Sequence, residues 1–378
     1  MYVHIPTPGD HYSPVTGSAT MTVIYELTKE HERAGGETVV VVGKGTRHDY
    51  DMGECVEVGF GRLPSPRQRS VDVALGAIGL PRPFASTTYR PALEAVGHDF
   101  DGPVIVHNSP AGLALLARNR RKARSVLYVH NSLFRTYGRN ELRRVVGQAS
   151  ALVFVSEFLA ESAADRLGGT AAVRVVVRNG VDVERFRPAE TPRTSTEPVV
   201  LFVGRVIPEK GADLLLRAAA KLRSARRRFR IRVVGSSGFS ATDPLTPYER
   251  SLRVAAAPLQ DMVEFKPFVG RAQIVEEYLG ADVMCVPSNW DEPLSLTISE
   301  AMACGLPTVA SRRGGIPELG GDAVLYFDPP NVDELAERLA YLLDETSARN
   351  EWGRRARARA MTLAWALQYP KLRAALEA

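Results

Sequence analysis

The feature that most constrains this chain is a short, wholly apolar run that recurs between helix-period stretches. Val39-Val40-Val41-Val42 is stopped by Gly43, and four β-branched residues in a row read as a strand buried on both faces. Residues 104–106, 126–129, 152–155 and 173–177 repeat that form, and residues 21–33, 112–121 and 157–167 between them carry apolar side chains at helical spacing. Such alternation builds parallel sheets covered by helices. Residues 63–91 are rich in Pro and Arg with weaker periodicity. They read as a loop with one short helix, the kind of segment that sets specificity over a fixed scaffold.

A break follows Phe186-Arg187-Pro188, and residues 189–198 have the Pro, Thr, Ser and Glu content of a linker. The alternation then restarts, with strands at 199–203, 231–234, 263–265, 282–286, 308–310 and 324–327. Helices are expected at 211–224, 248–257, 272–280, 296–303, 332–343 and 348–367. A chain of 378 residues exceeds what one core usually spans. The expected fold class is α/β, with two Rossmann-like doubly wound domains facing across a cleft. Residues 1–188 form the N-terminal domain, 189–198 the linker and 199–346 the C-terminal domain. Residues 347–378 form a C-terminal helix placed to pack back on the N-terminal domain.

Composition narrows the class. Three cysteines, Cys55, Cys285 and Cys304, lack CxxC spacing, which argues against a disulfide framework or a structural zinc and for a reducing cytoplasm. No apolar run approaches ~20 residues, so no transmembrane segment is expected. The N-terminus has His4, Pro6, Pro8 and Asp10 where a signal peptide needs an apolar core. The net charge of +5 is thinly spread, apart from Arg226-Arg227-Arg228 and the run Arg354-Arg355…Arg357…Arg359. A solvated helix face accounts for that last run better than a membrane or polyanion site. No nucleic-acid partner is implied.

The strongest chemical signal is Asp291-Glu292-Pro293 followed by Glu300 and the run Glu300-Ala301-Met302-Ala303-Cys304-Gly305-Leu306-Pro307. With a helix starting near Leu294, both glutamates reach the carboxyl edge of the preceding strand, where ligands bind in open α/β sheets. Carboxylates there suit paired hydroxyls, and the helix amides offer an anion site. Two solvated cap acids are the plainer alternative, disfavoured by Gly305-Leu306-Pro307 and Gly314-Gly315. Second comes Val203-Gly204-Arg205 with Glu209-Lys210-Gly211 at a helix entry. These two cations can neutralise a diphosphate without a metal, although alone they read equally well as a structural ion pair. The turn Val234-Gly235-Ser236-Ser237-Gly238 has amides that could approach the same phosphates. His107 and His130 end adjacent expected strands, and Gly17-Ser18 opens the first helix.

Together these residues resemble the donor site of retaining family-four glycosyltransferases of the GT-B fold, and the resemblance runs over almost the whole chain. It implies that Arg205 and Lys210 hold the diphosphate of a nucleotide-sugar, that Glu300 binds its ribose and that Glu292 binds the transferred sugar. The amides around Ser295 and Leu296 would close on sugar and phosphate, with Gly17, Gly204 and Gly235 completing the donor site. His130 would bond the donor sugar or its phosphate, joining Glu292, Arg205 and Lys210 as the residues of catalysis. His107 would line the acceptor pocket, and His11 is the other candidate there. The family commonly has Gly-Phe-Gly-Leu after the first glutamate, whereas this chain has Pro293-Leu294-Ser295-Leu296.

The resemblance therefore implies transfer from a nucleotide diphosphate sugar to a small-molecule, lipid-linked or saccharide acceptor. No cofactor and no metal are expected. Asp49-Tyr50-Asp51 and Asp99-Phe100-Asp101 have metal-like spacing but sit away from the donor motifs. Peripheral membrane contact stays open. A nucleotide-sugar epimerase of the same fold and a non-catalytic sugar-nucleotide-binding module are the rival readings.

Overall fold

The computed structural model describes residues 1–119, 122–168, 172–190 and 197–377. The centre of the expected linker, residues 191–196, lies outside the described residues. By contact the chain divides into two compact units. The first comprises Met1–Pro14, Ser18–Asn179 and Trp365–Ala378; the second comprises Val15–Gly17 and Gly180–Ala364.

The first unit runs β1 (Tyr2–Ile5), α1 (Ala19–Arg33), β2 (Thr38–Gly43), β3 (Glu54–Val58), α2 (Pro66–Ala77), α3 (Pro83–Ala95), β4 (Pro103–His107), α4 (Pro110–Asn119), β5 (Arg124–Val129), α5 (Arg139–Val146), β6 (Ala151–Phe154), α6 (Glu157–Leu167) and β7 (Val173–Val176). Its sheet has the order β3-β2-β1-β4-β5-β6-β7, and every neighbouring pair is parallel. The Ser18 hydroxyl caps α1 by accepting the Met21 amide. Met21 and Ile24 then pack on Tyr12, Val40 and Val42.

Residues 63–91 differ from expectation: they fold largely as two helices. A capping box of Ser65 and Gln68, with Pro66 in the first turn, starts α2. Asp72 accepts the amides of Phe84 and Ala85 and so caps α3. Buried Arg82 donates to both oxygens of Glu141 at 2.6 and 3.0 Å and stacks 3.6 Å over the Tyr137 ring. The periodicity was weak because α2 buries only Asp72 and Gly76, which leaves no apolar stripe facing inward.

The second unit runs β8 (Val199–Val203), α7 (Ala212–Ser224), β9 (Arg230–Val234), α8 (Pro247–Ala256), β10 (Val263–Lys266), α9 (Ile274–Leu279), β11 (Val283–Val286), α10 (Leu296–Ala303), β12 (Thr308–Ser311), α11 (Ile316–Gly320), β13 (Leu325–Phe327), α12 (Val332–Asp344) and α13 (Thr346–Met361). Its parallel sheet has the order β10-β9-β8-β11-β12-β13. Val200, Phe202, Leu215, Ile231, Val283 and Leu339 lie in its core.

The expected helix 348–367 is two helices. After α13 the chain forms a short bridge between Val181 and Ala364, with Val181 N–H donating to Leu363. It then starts α14 (Trp365–Glu377), which groups with the first unit. There Tyr369 hydroxyl lies 2.7 Å from His31 Nδ1, and Tyr2 stacks on the His31 ring at 3.7 Å. The arginine run is only partly a solvated face. Arg354 and Arg355 pair with Glu351, whereas Arg357 donates to the carbonyls of Val183, Phe186 and Ala303. Arg359 donates to those of Glu318 and Leu319.

Candidate functional site

In the second unit the loops after β8, β9 and β11 bring the expected donor residues to the carboxyl edge of the sheet. A Cβ added at Gly235 would stand 2.0 Å from the Gly204 carbonyl oxygen, so the close approach of the turns after β8 and β9 requires glycine at 235. Val206 N–H donates to Ser236 carbonyl at 3.0 Å across the same junction. Lys210 precedes α7 and reaches the loop after β11, where its Nζ lies 2.6 Å from Glu292 Oε1. That oxygen also accepts the Ser288 hydroxyl. Glu292 is 3% exposed, and among the described residues no group bonds its Oε2. The loop is fixed by its backbone: Asn289 N–H donates to Glu209, and Gly315 N–H donates to Glu292. Gly314 holds a left-handed φ of 56°, and a Cβ there would stand 2.2 Å from the Glu292 carbonyl oxygen.

Glu300 lies on α10, whose N-cap Ser295 makes no side-chain cap bond. One oxygen of Glu300 is 2.8 Å from Arg271 Nη1, and the other accepts the Tyr278 hydroxyl at 2.8 Å. Burial, then the charge of Glu300, pushes the Tyr278 phenol well above its usual pKa, so it stays a donor. Each carboxylate oxygen has two acceptor sites, which leaves Glu300 acceptor capacity for ligand hydroxyls. Cys304 behind it is an inert thiol, pushed up to about 12 by burial first and Glu300 second. Cys285 is likewise raised by burial.

The first unit holds a chain of three buried histidines, His4 on β1, His107 at the end of β4 and His130 just past β5. His4 Nδ1 is 2.9 Å from His107 Nε2, and His107 Nδ1 is 2.8 Å from His130 Nε2. Burial lowers the pKa of His4 and His130 to about 3 and that of His107 well below its usual value, with neighbouring histidines adding to the fall. Three neutral rings carry three N–H protons. Two occupy the bridges, and the third falls at one end, on His130 Nδ1 or His4 Nε2. Asn108, in the left-handed region at φ 56°, accepts the His130 amide at 2.8 Å. Both ring nitrogens of His107 are thus taken. The ring is fully buried, and its polar neighbours are His4 and His130.

Of the expected residues, Lys210 and Glu292 are therefore in direct contact, and Gly204 and Gly235 abut. Glu300 stands on the following helix, with Ser295 and Leu296 at its start. Arg205 is exposed, and among the described residues no ion pair holds it. Gly17 groups with the second unit. His11 sits in the first unit and accepts the Arg47 amide at 2.8 Å through Nδ1. Arg271, Tyr278, Ser288 and His4 escaped the sequence reading. Only Arg271, after a Val-Gly turn like that of Arg205, had a signal that could have been followed. Three of the four Asp-x-Asp acids are engaged elsewhere: Asp49 accepts Ser13, Asp51 accepts Tyr25 and Asp99 pairs with Lys122. Among the described residues no His, Cys, Asp and Glu cluster could hold a metal ion, and no helix is long and apolar enough to cross a membrane.

Known proteins place the chain in a family. The family described as Glycosyl transferases group 1 matches residues 183–359, and Glycosyltransferase Family 4 matches residues 21–185. The chain is 30% identical to spore coat protein SA of Bacillus subtilis over 289 residues, which is 70% of this chain and 76% of that protein. It is 33% identical to D-inositol 3-phosphate glycosyltransferase of Kineococcus radiotolerans over 59% of this chain and 57% of the relative's length. The match thus spans little more than half of that enzyme. Among solved structures, Anabaena HepE in complex with UDP and glucose superposes with a TM-score of 0.72 at 19% identity, covering 100% of this chain and 99% of that one. The chain belongs to the group 1 glycosyltransferases, enzymes of the GT-B fold.

Proposed function

We propose that this enzyme moves a sugar from a nucleotide diphosphate sugar to a small-molecule, lipid-linked or saccharide acceptor, with retention of configuration and without a metal. The observation that carries the reading is a pair of buried carboxylates, each matched to its own cation on the second unit: Glu292 with Lys210 and Glu300 with Arg271. Glu300 accepts the ribose hydroxyls. Glu292 accepts hydroxyls of the transferred sugar through Oε2, its other oxygen being held by Lys210 and Ser288.

Cleavage of the sugar–phosphate bond leaves negative charge on the diphosphate and positive character on the sugar. Lys210 and exposed Arg205 neutralise the first, while the Glu292 carboxylate, bonded to the sugar hydroxyls, favours the second. Neither glutamate serves as nucleophile. The acceptor oxygen attacks from the face the diphosphate leaves, a phosphate oxygen takes its proton, and the anomeric configuration is kept. His130, neutral at ordinary pH, contributes a hydrogen bond to the donor and no proton. Acceptor selection falls to the first unit, with His11 and residues 63–91 as its candidates. The solved complexes of HepE with UDP and with UDP-glucose support the donor class, and the unpaired cysteines fit a cytoplasmic enzyme.

Thermal shift and nucleotide release with UDP-glucose, GDP-mannose and ADP-glucose test the reading. One donor should raise the melting temperature and be turned over to free nucleoside diphosphate. A chain that neither binds nor cleaves any of the three contradicts it.

A further inference from the structure

A surface helix normally turns its apolar stripe inward, but α2 does the reverse. Its buried positions are Asp72 and Gly76. At 3.6 residues per turn the opposite side presents Val71, Ala74 and Ala77, with Val73 on the flank and Ile78 just past the helix, all exposed. Ile78 is 75% exposed and Leu80 49%. Among the described residues, six of the fifteen exposed large hydrophobic side chains fall between Leu63 and Phe84.

The same surface is basic. Residues 59–90 contain four exposed arginines, Arg62, Arg67, Arg69 and Arg90, beside buried Arg82, which is paired with Glu141, and a single acid, Asp72, whose carboxylate is buried against the start of α3. Arg67 and Arg69 are exposed on the first turn of α2. Helix α5 lies alongside: the Glu141 side chain fills the space beside Gly76, and exposed Arg144 donates to the Gly79 carbonyl between Ile78 and Leu80. An apolar patch rimmed by cations, with no exposed acid in its own segment, fits one occupant. A second copy meeting it face to face would set arginine against arginine.

We infer that the outward face of α2, with the turn Ile78–Leu80 and the flanking arginines, docks on an anionic lipid bilayer. The apolar side chains enter the headgroup boundary, and the guanidinium groups meet lipid phosphates. The C-terminal arginine run has no such role, since Arg357 and Arg359 are spent on backbone carbonyls and Arg354 and Arg355 on Glu351.

Co-sedimentation of the full chain with vesicles tests the surface without any donor or acceptor. Binding is expected to phosphatidylcholine vesicles containing phosphatidylglycerol, to fall as salt rises, and to be far weaker with phosphatidylcholine alone. Ile78→Asp/Leu80→Asp should abolish most of it. Arg67→Glu/Arg69→Glu should weaken it at least about fivefold, from the cost per basic residue at an anionic surface, and Arg354→Glu/Arg355→Glu should leave it unchanged. Melting temperatures near that of the parent show that the exposed substitutions spare the fold. The inference is overturned if the chain stays in the supernatant with anionic vesicles. It is overturned equally if the α2 variants bind like the parent, if the C-terminal variant alone loses binding, or if Ile78→Asp/Leu80→Asp merely dissolves a dimer.

Discussion

Mild acid should destabilise the first unit through its histidine chain, and the size of the effect can be worked out. In the unfolded chain each imidazole titrates near ~6.5, whereas His4 and His130 in the fold titrate at about 3 and His107 well below its usual value. A base whose folded pKa is depressed gives up stability as pH falls, because the unfolded chain binds protons that the fold refuses. The loss begins near the unfolded value and continues down to the folded one. Going from pH ~7 to ~5.5 costs on the order of 1 kcal/mol per histidine, and so roughly 3–4 kcal/mol for the three, as an upper figure. Urea unfolding at the two pH values, read by hydrogen exchange in peptides from β1, β4 and β5, measures it. His107→Gln should remove about one proton from the uptake on unfolding. A urea midpoint unchanged at the lower pH, or native imidazole ¹⁵N signals titrating near ~6.5, would refute the neutral chain.

Three further outcomes follow from the second unit. Activity should persist in a chelator; complete loss restored by magnesium or manganese would sink the metal-free diphosphate site. Arg271→Ala should destabilise the second unit by about 3–5 kcal/mol, because it leaves buried Glu300 without its cation; a change below ~1 kcal/mol in urea unfolding would mean that the pair is not what holds that carboxylate. Gly314→Ala should raise the donor Kd, since the added Cβ would press on the Glu292 backbone at 2.2 Å; parent-like donor affinity would contradict this.

The sheets were legible in the sequence because parallel strands buried on both faces must be continuous β-branched runs, as at Val39 to Val42. Strands β1 and β3 escaped for local reasons. Tyr2–Ile5 is interrupted by His4, and Glu54–Val58 is an edge strand with acids at Glu54 and Glu57, both exposed. The two glutamates of the site were visible through their spacing on one loop and helix. Their protein partners were not. Arg271 and Tyr278 approach Glu300 from around a different helix, and no local pattern records that meeting. His4 is 103 residues from His107, and only the β1–β4 pairing sets their rings edge to edge. The turned-out face of α2 hid in the same way, because its composition reads as an ordinary loop until the buried side is known.

Calorimetric titration of Glu292→Gln and Glu300→Gln, each against a nucleoside diphosphate and the matching nucleotide-sugar, tests the donor site most directly. Gln keeps the volume of the side chain and can still meet Lys210 or Arg271 through its amide oxygen. Glu300→Gln should weaken both ligands by roughly ten- to a hundredfold, the cost of losing a charged hydrogen-bond partner. Glu292→Gln should leave the nucleoside diphosphate bound as before and weaken only the nucleotide-sugar. Equal losses for both ligands in both variants, or no loss in either, would contradict the assignment of one carboxylate to the ribose and the other to the sugar.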